Sequence, residues 1–113
     1  MAGIAPKTMI TLDEYVLDVL MRDLVGHDRR PVSFLVYVWL AMEQQRREGA
    51  VQVSYREIAE SIGVAKSSVQ DAVSWLARRK LVAVSKENAT ATPRYTVNRP
   101  WRREARASHA RAR

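Results

Sequence analysis

Residues 66–80, KSSVQDAVSWLARRK, combine short polar side chains with an apolar repeat of helical period. On a helical wheel the apolar side chains share one face, which predicts the core side of a helix, and the opposite face is polar near its start. Serine can hydrogen-bond to several base edges, glutamine can bind an adenine edge with two hydrogen bonds, and lysine suits guanine or a phosphate. The segment therefore offers these candidate DNA-contacting residues: Lys66, Ser67, Ser68, Gln70 and Ser74.

The same polar face is compatible with a helix that has no ligand, because every surface helix is polar on its outer side. Asp71 lies on this face, and its negative charge opposes the approach of a phosphate. Arg78, Arg79 and Lys80 end the segment, where positive charge favours the helix dipole without any partner. Trp75 falls beside the core stripe, and we expect it to pack under the wing hairpin or against the first helix.

Residues 54–80 have the spacing of two helices that cross at a tight turn. Ser54 and Glu57 form a capping box, which predicts the start of the first helix. Ala59 is small enough for the two helices to approach closely, and Gly63 supplies a residue that tolerates positive φ at the turn. The apolar residues that would fill the corner are Ile58, Ile62, Val64 and Val69.

The run REIAESIGVAKSSVQDAVSWLARRKLV, followed by two β-rich segments, resembles the winged helix-turn-helix family of small bacterial and phage regulators, of the GntR-like type. The resemblance spans about residues 33–98. It implies a mainly α fold with a small β-hairpin wing at residues 81–98, in which helix 66–80 reads the major groove. It also implies DNA-backbone contacts from the start of the first helix of the pair and from the wing, where the matching cations are Arg56, Lys86 and Arg94.

Two positions depart from the common pattern of that family. Ala65 stands where many members have a serine or threonine, so the second helix of the pair starts with a weaker cap. Lys80 stands where many members have a glycine before the wing. One difference lies before the second helix of the pair and the other before the wing. Each concerns how the chain enters the element, so both elements are still predicted.

An additional N-terminal helix is predicted at residues 11–25, after a flexible leader at residues 1–10. Thr11 and Glu14 have the spacing of a capping box, and Gly26 is a natural C-terminal stop. More than half of the circumference of this helix is apolar. It therefore either packs between neighbouring elements or forms the contact of a homodimer.

A polar connection, HDRRP, leads into a helix predicted at residues 33–48. Its apolar start could be a buried strand, but its length and its polar continuation favour a helix. Ser33 is the predicted cap of this helix and Gly49 its predicted end. The alternating residues 51–54, VQVS, predict a short strand that follows it.

Residues 99–113, RPWRREARASHARAR, hold six arginines and one glutamate. So few apolar residues cannot form a core, so the segment predicts a flexible basic tail behind a single domain at residues 11–98. Trp101 either anchors the end of the last strand or belongs to the tail. The arginines that could extend a contact with DNA by electrostatic attraction are Arg99, Arg102, Arg103 and Arg106.

The net charge of the chain is +7, and all of the excess positive charge lies in its second half. Residues 1–50 have a net charge of −1 and residues 51–113 of +8, which favours a polyanion such as nucleic acid as the partner. The chain has no cysteine, and its two histidines lie far apart, so we expect no metal site and no cofactor. The absence of a long apolar run and of a signal-peptide pattern predicts a cytoplasmic protein with no membrane contact. No small-molecule ligand is expected, because the sequence shows no evident ligand-sensing domain.

These patterns predict a sequence-specific protein for double-stranded DNA, in the simplest case a transcriptional regulator. A plasmid or phage replication or partition factor would have the same fold and chemistry, so the sequence does not separate the two. A winged helix that serves as a protein–protein interaction module is the alternative from another class, and it is favoured by Asp71 and Trp75. An enzyme is not expected, because the chain shows neither a nucleophile with its base nor a phosphate-binding glycine loop.

Overall fold

The computed structural model describes residues 9–102, whose elements follow the order of a winged helix. This confirms the predicted mainly α fold with a small β-hairpin wing and an extra N-terminal helix. An N-terminal helix, wound as two π-helical segments at Val16–Leu20 and Arg22–His27, precedes three α-helices and three strands. The α-helices and strands are α1 (Pro31–Arg47), β1 (Val51–Gln52), α2 (Tyr55–Ile62), α3 (Lys66–Arg78), β2 (Val82–Ser85) and β3 (Arg94–Val97).

The strands form one antiparallel sheet in the order β1-β3-β2, and its inner face closes the core between the helices. Along β3, Tyr95 and Val97 are buried while Arg94 and Thr96 are exposed, as expected for a strand with one covered face. Within residues 9–102 no helix combines the length and the hydrophobicity that crossing a bilayer requires. The largest fully buried side chains are Tyr37, Tyr95, Leu24, Leu40, Ile58 and Leu76.

The start of α1 lies at Pro31, two residues before the predicted cap at Ser33. Proline suits the first position of a helix because its φ is already fixed and it has no N–H that would remain unbonded there. Ser33 is buried inside the first turn, and its Oγ donates a hydrogen bond of 3.4 Å to the carbonyl of Ala72 in α3. The hydroxyl that was predicted to cap α1 therefore links α1 to α3.

The N-terminal helix differs from the α-helix predicted at residues 11–25 in its winding and at both ends. Its hydrogen bonds join residues five apart, which is the wider π-helical winding, and the helix continues through Gly26 to His27. The predicted cap at Thr11 does not form, because the side-chain amide of Gln45 binds both the N–H and the carbonyl of Thr11. A contact from α1 thus replaces the predicted local cap.

Each of the four helices is followed by a residue in the left-handed backbone conformation, and only one of these residues is a glycine. After α3, the Lys80 N–H donates to the carbonyl of Ala77, and the next N–H donates to the carbonyl of Leu76. These bonds satisfy carbonyls that the end of the helix leaves free. Lys80 therefore makes the turn for which many winged-helix proteins use glycine. The four residues and their φ angles are Arg29 (57°), Glu48 (55°), Gly63 (77°) and Lys80 (59°).

The segment after β3 packs on the body of the protein. Trp101 stacks on Tyr15 with ring centroids 4.6 Å apart, and its indole N–H donates a hydrogen bond of 2.8 Å to Asp13. Trp101 therefore anchors the end of the last strand, which was one of its two predicted roles, and it does not belong to a tail. Residues 99–102 therefore do not extend as part of a tail, and residues 103–113 lie outside the described residues.

Candidate nucleic-acid interface

The turn between α2 and α3 is built by the residues that the sequence indicated. The Ser54 Oγ accepts the Glu57 N–H at 3.1 Å, and the Glu57 carboxylate accepts the Ser54 N–H at 3.3 Å, which confirms the capping box. Ala59 is buried, and its carbonyl accepts the N–H groups of both Gly63 and Val64. These bonds fix the direction in which the chain leaves α2 and enters α3.

α3 has one buried face and one exposed polar face. The polar side chains of Lys66, Ser67, Gln70 and Ser74 are exposed, and none of them is hydrogen-bonded or ion-paired to another described residue. Their donors and acceptors face water and are available to a ligand. Ala65 provides no side-chain cap, so the first N–H groups of α3 have no partner from that residue. The buried face consists of the predicted stripe Val69, Ala72, Val73 and Leu76.

Ser68 lies apart from the other polar residues of α3. It is half-buried and lines a groove of about 180 Å³ between α3 and the start of α1. Arg29 and Arg30 lie on the opposite wall of this groove, and Asp71 lies beside Ser68 on the α3 wall. Ser68 is therefore on the flank of α3, next to the face that carries Gln70.

Arg56 lies at the start of α2, as the sequence indicated, and it forms an ion pair of 3.4 Å with Glu60 one turn later. Both side chains are strongly exposed, so water screens their attraction and the pair is weak. The guanidinium can therefore leave Glu60 for a stronger anion at little cost.

Lys86 and Arg94 come together in the wing. Both are exposed and line a depression of about 260 Å³, together with Gln52 and Glu87. Arg94 pairs with Ser85 in the β2–β3 register, which places it at the base of the loop that Lys86 begins. Among the described residues, no hydrogen bond or ion pair joins these wing residues to the polar face of α3.

Asp28 fixes Trp75 through a contact that the sequence did not indicate. Its carboxylate accepts hydrogen bonds from the Trp75 indole N–H (2.9 Å) and from His27 (3.0 Å), and it pairs with Arg79 (3.2 Å). Burial acts to raise the pKa of Asp28, but the hydrogen bonds from His27 and Trp75 and the charge of Arg79 outweigh it and hold that pKa below its usual value. Trp75 is thus held against the connection that follows the N-terminal helix.

Two further arginines lie beside α3, in the HDRRP segment that was predicted only as a polar connection. Arg29 and Arg30 are exposed, and the Arg30 guanidinium lies 4.6 Å from the centre of the Trp75 ring. The Arg78 guanidinium lies 5.7 Å from the same ring. The sequence held one indication that another segment packs on this flank of α3. Ser68 and Trp75 lie two helical turns apart on it, and a tryptophan at such a position is expected to pack against another element.

A cavity of about 480 Å³ has no lining residue from α2 or α3. It lies between the N-terminal segment, the end of α1 and the segment after β3, and its walls include Leu12, Tyr37, Gln45 and Arg99. Arg99 was expected to extend a contact with DNA, and it lines this cavity. Arg102 was expected to do the same, and it is bound to Asp13 through two hydrogen bonds of 2.6 and 2.7 Å.

Comparisons with protein-family models, with curated proteins and with solved structures returned no match for this chain.

Proposed function

We propose that this protein binds double-stranded DNA in a sequence-specific way, by placing α3 in the major groove, and that it acts as a transcriptional regulator. The proposal depends on one observation, which is the outer face of α3. That face carries Lys66, Ser67, Gln70 and Ser74, all exposed and unbonded within the described residues, and it lies opposite the buried stripe of the same helix. The role is binding, and no catalytic step is proposed.

The size and chemistry of this face suit base recognition. The major groove is about 12 Å wide and admits an α-helix, and short side chains allow the helix to lie deep in it. Gln70 can bind an adenine with two hydrogen bonds, and Ser67 and Ser74 can bind either member of a base pair. The N-terminus of α3, at Lys66, favours an adjacent phosphate.

Three cations outside α3 support the proposal by offering contacts to the DNA backbone. Arg56 lies at the start of α2, and Lys86 and Arg94 lie together in the wing. Contacts of this kind position a protein on DNA and carry no sequence information. All three lie in the strongly basic second half of the chain, whose net positive charge attracts DNA.

We further propose that two copies associate through the N-terminal helix. Val16, Leu20 and Leu24 pack into the core, but a second apolar stripe of this helix is uncovered. A dimer would present two copies of α3 to a palindromic site, which is how many helix-turn-helix proteins bind. The uncovered residues of the stripe, with their exposed fractions, are Leu17 (52%), Met21 (41%) and Val25 (40%).

The test is selection of bound duplexes from a random pool, followed by a salt titration with the selected duplex. We expect a defined base preference and an affinity that falls steeply with salt. Gln70→Ala should lose about 1–3 kcal/mol of discrimination at one base pair, whereas Lys86→Ala should weaken binding to all sequences alike. Arg46→Ala, in the last turn of α1, is the control and should alter neither property. If neither Gln70→Ala nor Lys86→Ala changes binding, the assigned surface is wrong.

Asp71 favours a different function, because an exposed carboxylate on the same face of α3 repels phosphates. A winged helix that binds another protein through this face would tolerate it. A protein complex that survives high salt, in a sample that selects no duplex, would decide for that function. A replication or partition factor would select a duplex as a regulator does, and the location of the selected sequence would separate these two roles.

A further inference from the structure

Three arginines lie around Trp75 on one flank of α3, and a fourth lines the adjoining groove. Arg30 and Arg78 lie within cation–π distance of its ring, at 4.6 and 5.7 Å from the centroid. Arg79 reaches the same region and pairs with Asp28 at 3.2 Å. Arg29 lies next to Arg30 on the wall of the groove that faces Ser68.

Three of these arginines are not neutralised. Asp28 is engaged with Arg79, His27 and Trp75, and its side chain is almost completely covered. Within residues 9–102, Arg29, Arg30 and Arg78 form no ion pair with an acidic residue, and all three are exposed. The flank therefore presents an excess of positive charge to solvent, with Asp71 as the acidic side chain that lines the adjoining groove.

The position of this cluster relative to the face that carries Gln70 is set by helical geometry. Ser68 and Trp75 lie on one flank of α3, and Asp71 and Arg78 lie on the exposed polar face beside that flank. The flank therefore borders the side of that face where Ser67 and Ser74 lie. When a helix lies in the major groove, its flanks face the two phosphate backbones that bound the groove.

We propose that Arg29, Arg30 and Arg78 form a phosphate-binding ridge that contacts one DNA backbone alongside α3, with Trp75 holding Arg30 and Arg78 in place. The proposal rests on the proposed DNA binding and assigns it a surface outside α2 and the wing. A guanidinium that is already positioned by an aromatic ring loses less conformational freedom when it binds a phosphate. Asp28 holds the same ring in place by accepting a hydrogen bond from its indole N–H.

The test measures the salt dependence of binding to the selected duplex for the full chain and three variants. Each lost phosphate contact should make the slope of log K against log salt shallower by about 0.9. We therefore expect a change of about 2 for the double variant Arg29→Gln/Arg30→Gln and of about 1 for Arg78→Gln. The base preference should stay as in the wild type, because phosphate contacts do not read sequence. Arg46→Gln, which alters an arginine paired with Glu43 in α1, should leave the slope unchanged.

A lysine variant separates the effect of lost charge in the ridge from any effect of the substitutions on folding. Arg29→Lys/Arg30→Lys keeps both charges and should keep a slope close to that of the wild type. If Arg29→Gln/Arg30→Gln and Arg78→Gln both keep the wild-type slope, the ridge is overturned and the proposed function stays intact. A changed base preference in Arg29→Gln/Arg30→Gln would also overturn it, because these residues would then touch bases. If the wild type binds no duplex at all, the proposed function and the ridge fail together.

Discussion

Trp101 and Asp13, 88 residues apart in the chain, are joined by a hydrogen bond of 2.8 Å from the indole N–H to the carboxylate. The next residue, Arg102, binds the same carboxylate. The same three residue types recur at the other end of the N-terminal helix, where an indole and a guanidinium bind the carboxylate of Asp28. Each end of that helix is thus fastened to the body by a carboxylate, an indole and a guanidinium.

Asp13→Asn should lower the free energy of unfolding by about 1–2 kcal/mol near neutral pH. The hydrogen bonds from Arg102 and Trp101 lower the pKa of Asp13 from 3.8 to about 2 in the folded protein. Because the folded pKa is the lower one, this contribution is complete above the unfolded pKa and is lost as the pH falls towards about 2. Urea denaturation of both proteins between pH 7 and pH 2 measures it, and the difference between them should shrink with acidification.

Asp18→Asn is the matched control for that measurement. Asp18 lies in the same N-terminal helix, is exposed and forms no ion pair with another described residue. It should change stability little at any pH in this range. An equal loss in both variants would contradict the role assigned to the Asp13 contacts.

Trp75→Phe should lower the free energy of unfolding by about 1.5–3 kcal/mol. Phenylalanine keeps an aromatic ring but removes the N–H that binds Asp28, whose side chain is only 5% exposed. The covered carboxylate of Asp28 would lose one hydrogen-bond donor and be less stabilised, although its ion pair with Arg79 would remain. Trp39→Phe is the control, because Trp39 is half-buried and makes no hydrogen bond to another described residue. Equal thermal melting temperatures for the two variants would count against the contact.

Tyr95→Phe should leave stability unchanged or raise it slightly. The Tyr95 hydroxyl is buried and has no hydrogen-bond partner among the described residues. Burial raises its pKa, with a smaller contribution from the nearby Tyr55, but no hydrogen bond of normal geometry joins the two hydroxyls. Removing a buried hydroxyl that has no partner removes only its desolvation penalty.

Tyr37→Phe serves as the comparison for that experiment. The Tyr37 hydroxyl donates a hydrogen bond of 3.0 Å to the carbonyl of Asn98. Its removal should lower the free energy of unfolding by about 1 kcal/mol. Denaturant titration of both variants should therefore give opposite or clearly unequal changes, and a larger loss for Tyr95→Phe would reveal a partner for its hydroxyl.

Gly63→Ala and Gly26→Ala should change stability in opposite directions. At both positions a new Cβ would meet no atom within 4 Å, so packing does not distinguish them. Gly63 has φ 77°, where a side chain costs about 1–2 kcal/mol. Gly26 lies inside the N-terminal helix, where alanine should stabilise by roughly 0.5–1 kcal/mol. Thermal melting of both variants measures the direction of each change in stability. A lower melting temperature for Gly26→Ala would contradict the described helix.

Leu17→Gln/Met21→Gln should reduce self-association if the uncovered stripe of the N-terminal helix joins two copies. Polar side chains there remove apolar area from the contact and leave the core residues of the helix in place. Sedimentation analysis over a range of concentrations measures the effect. Leu35→Gln, at another exposed leucine, is the control. A wild type that stays monomeric at high concentration would refute the dimer.

Local signals explain why the α2–α3 pair could be predicted from the sequence. Ser54 and Glu57 bind each other across three residues, and Gly63 turns the chain through its own backbone freedom. The wheel of α3 also identified its buried stripe, because one side of that helix is uniformly apolar. The exposed polar face of α3 follows directly from that stripe.

Distant contacts explain why other features could not be predicted. Thr11 fails to cap a helix because Gln45, 34 residues later, binds its backbone. The end of the N-terminal helix depends on Arg29 adopting a left-handed conformation, which residues other than glycine seldom adopt. The contact between Arg30 and Trp75 escaped prediction for a related reason, because the two residues meet only in the folded chain.

The bonds between Asp13 and Arg102 bring the first and last described stretches of the chain to one corner of the molecule. A circularly permuted form of residues 9–102 is therefore feasible, with a short linker between these stretches and new termini in the loop between β2 and β3. Such a rearrangement would leave the helix–helix packing and the outer face of α3 untouched, and it would move both termini to the wing.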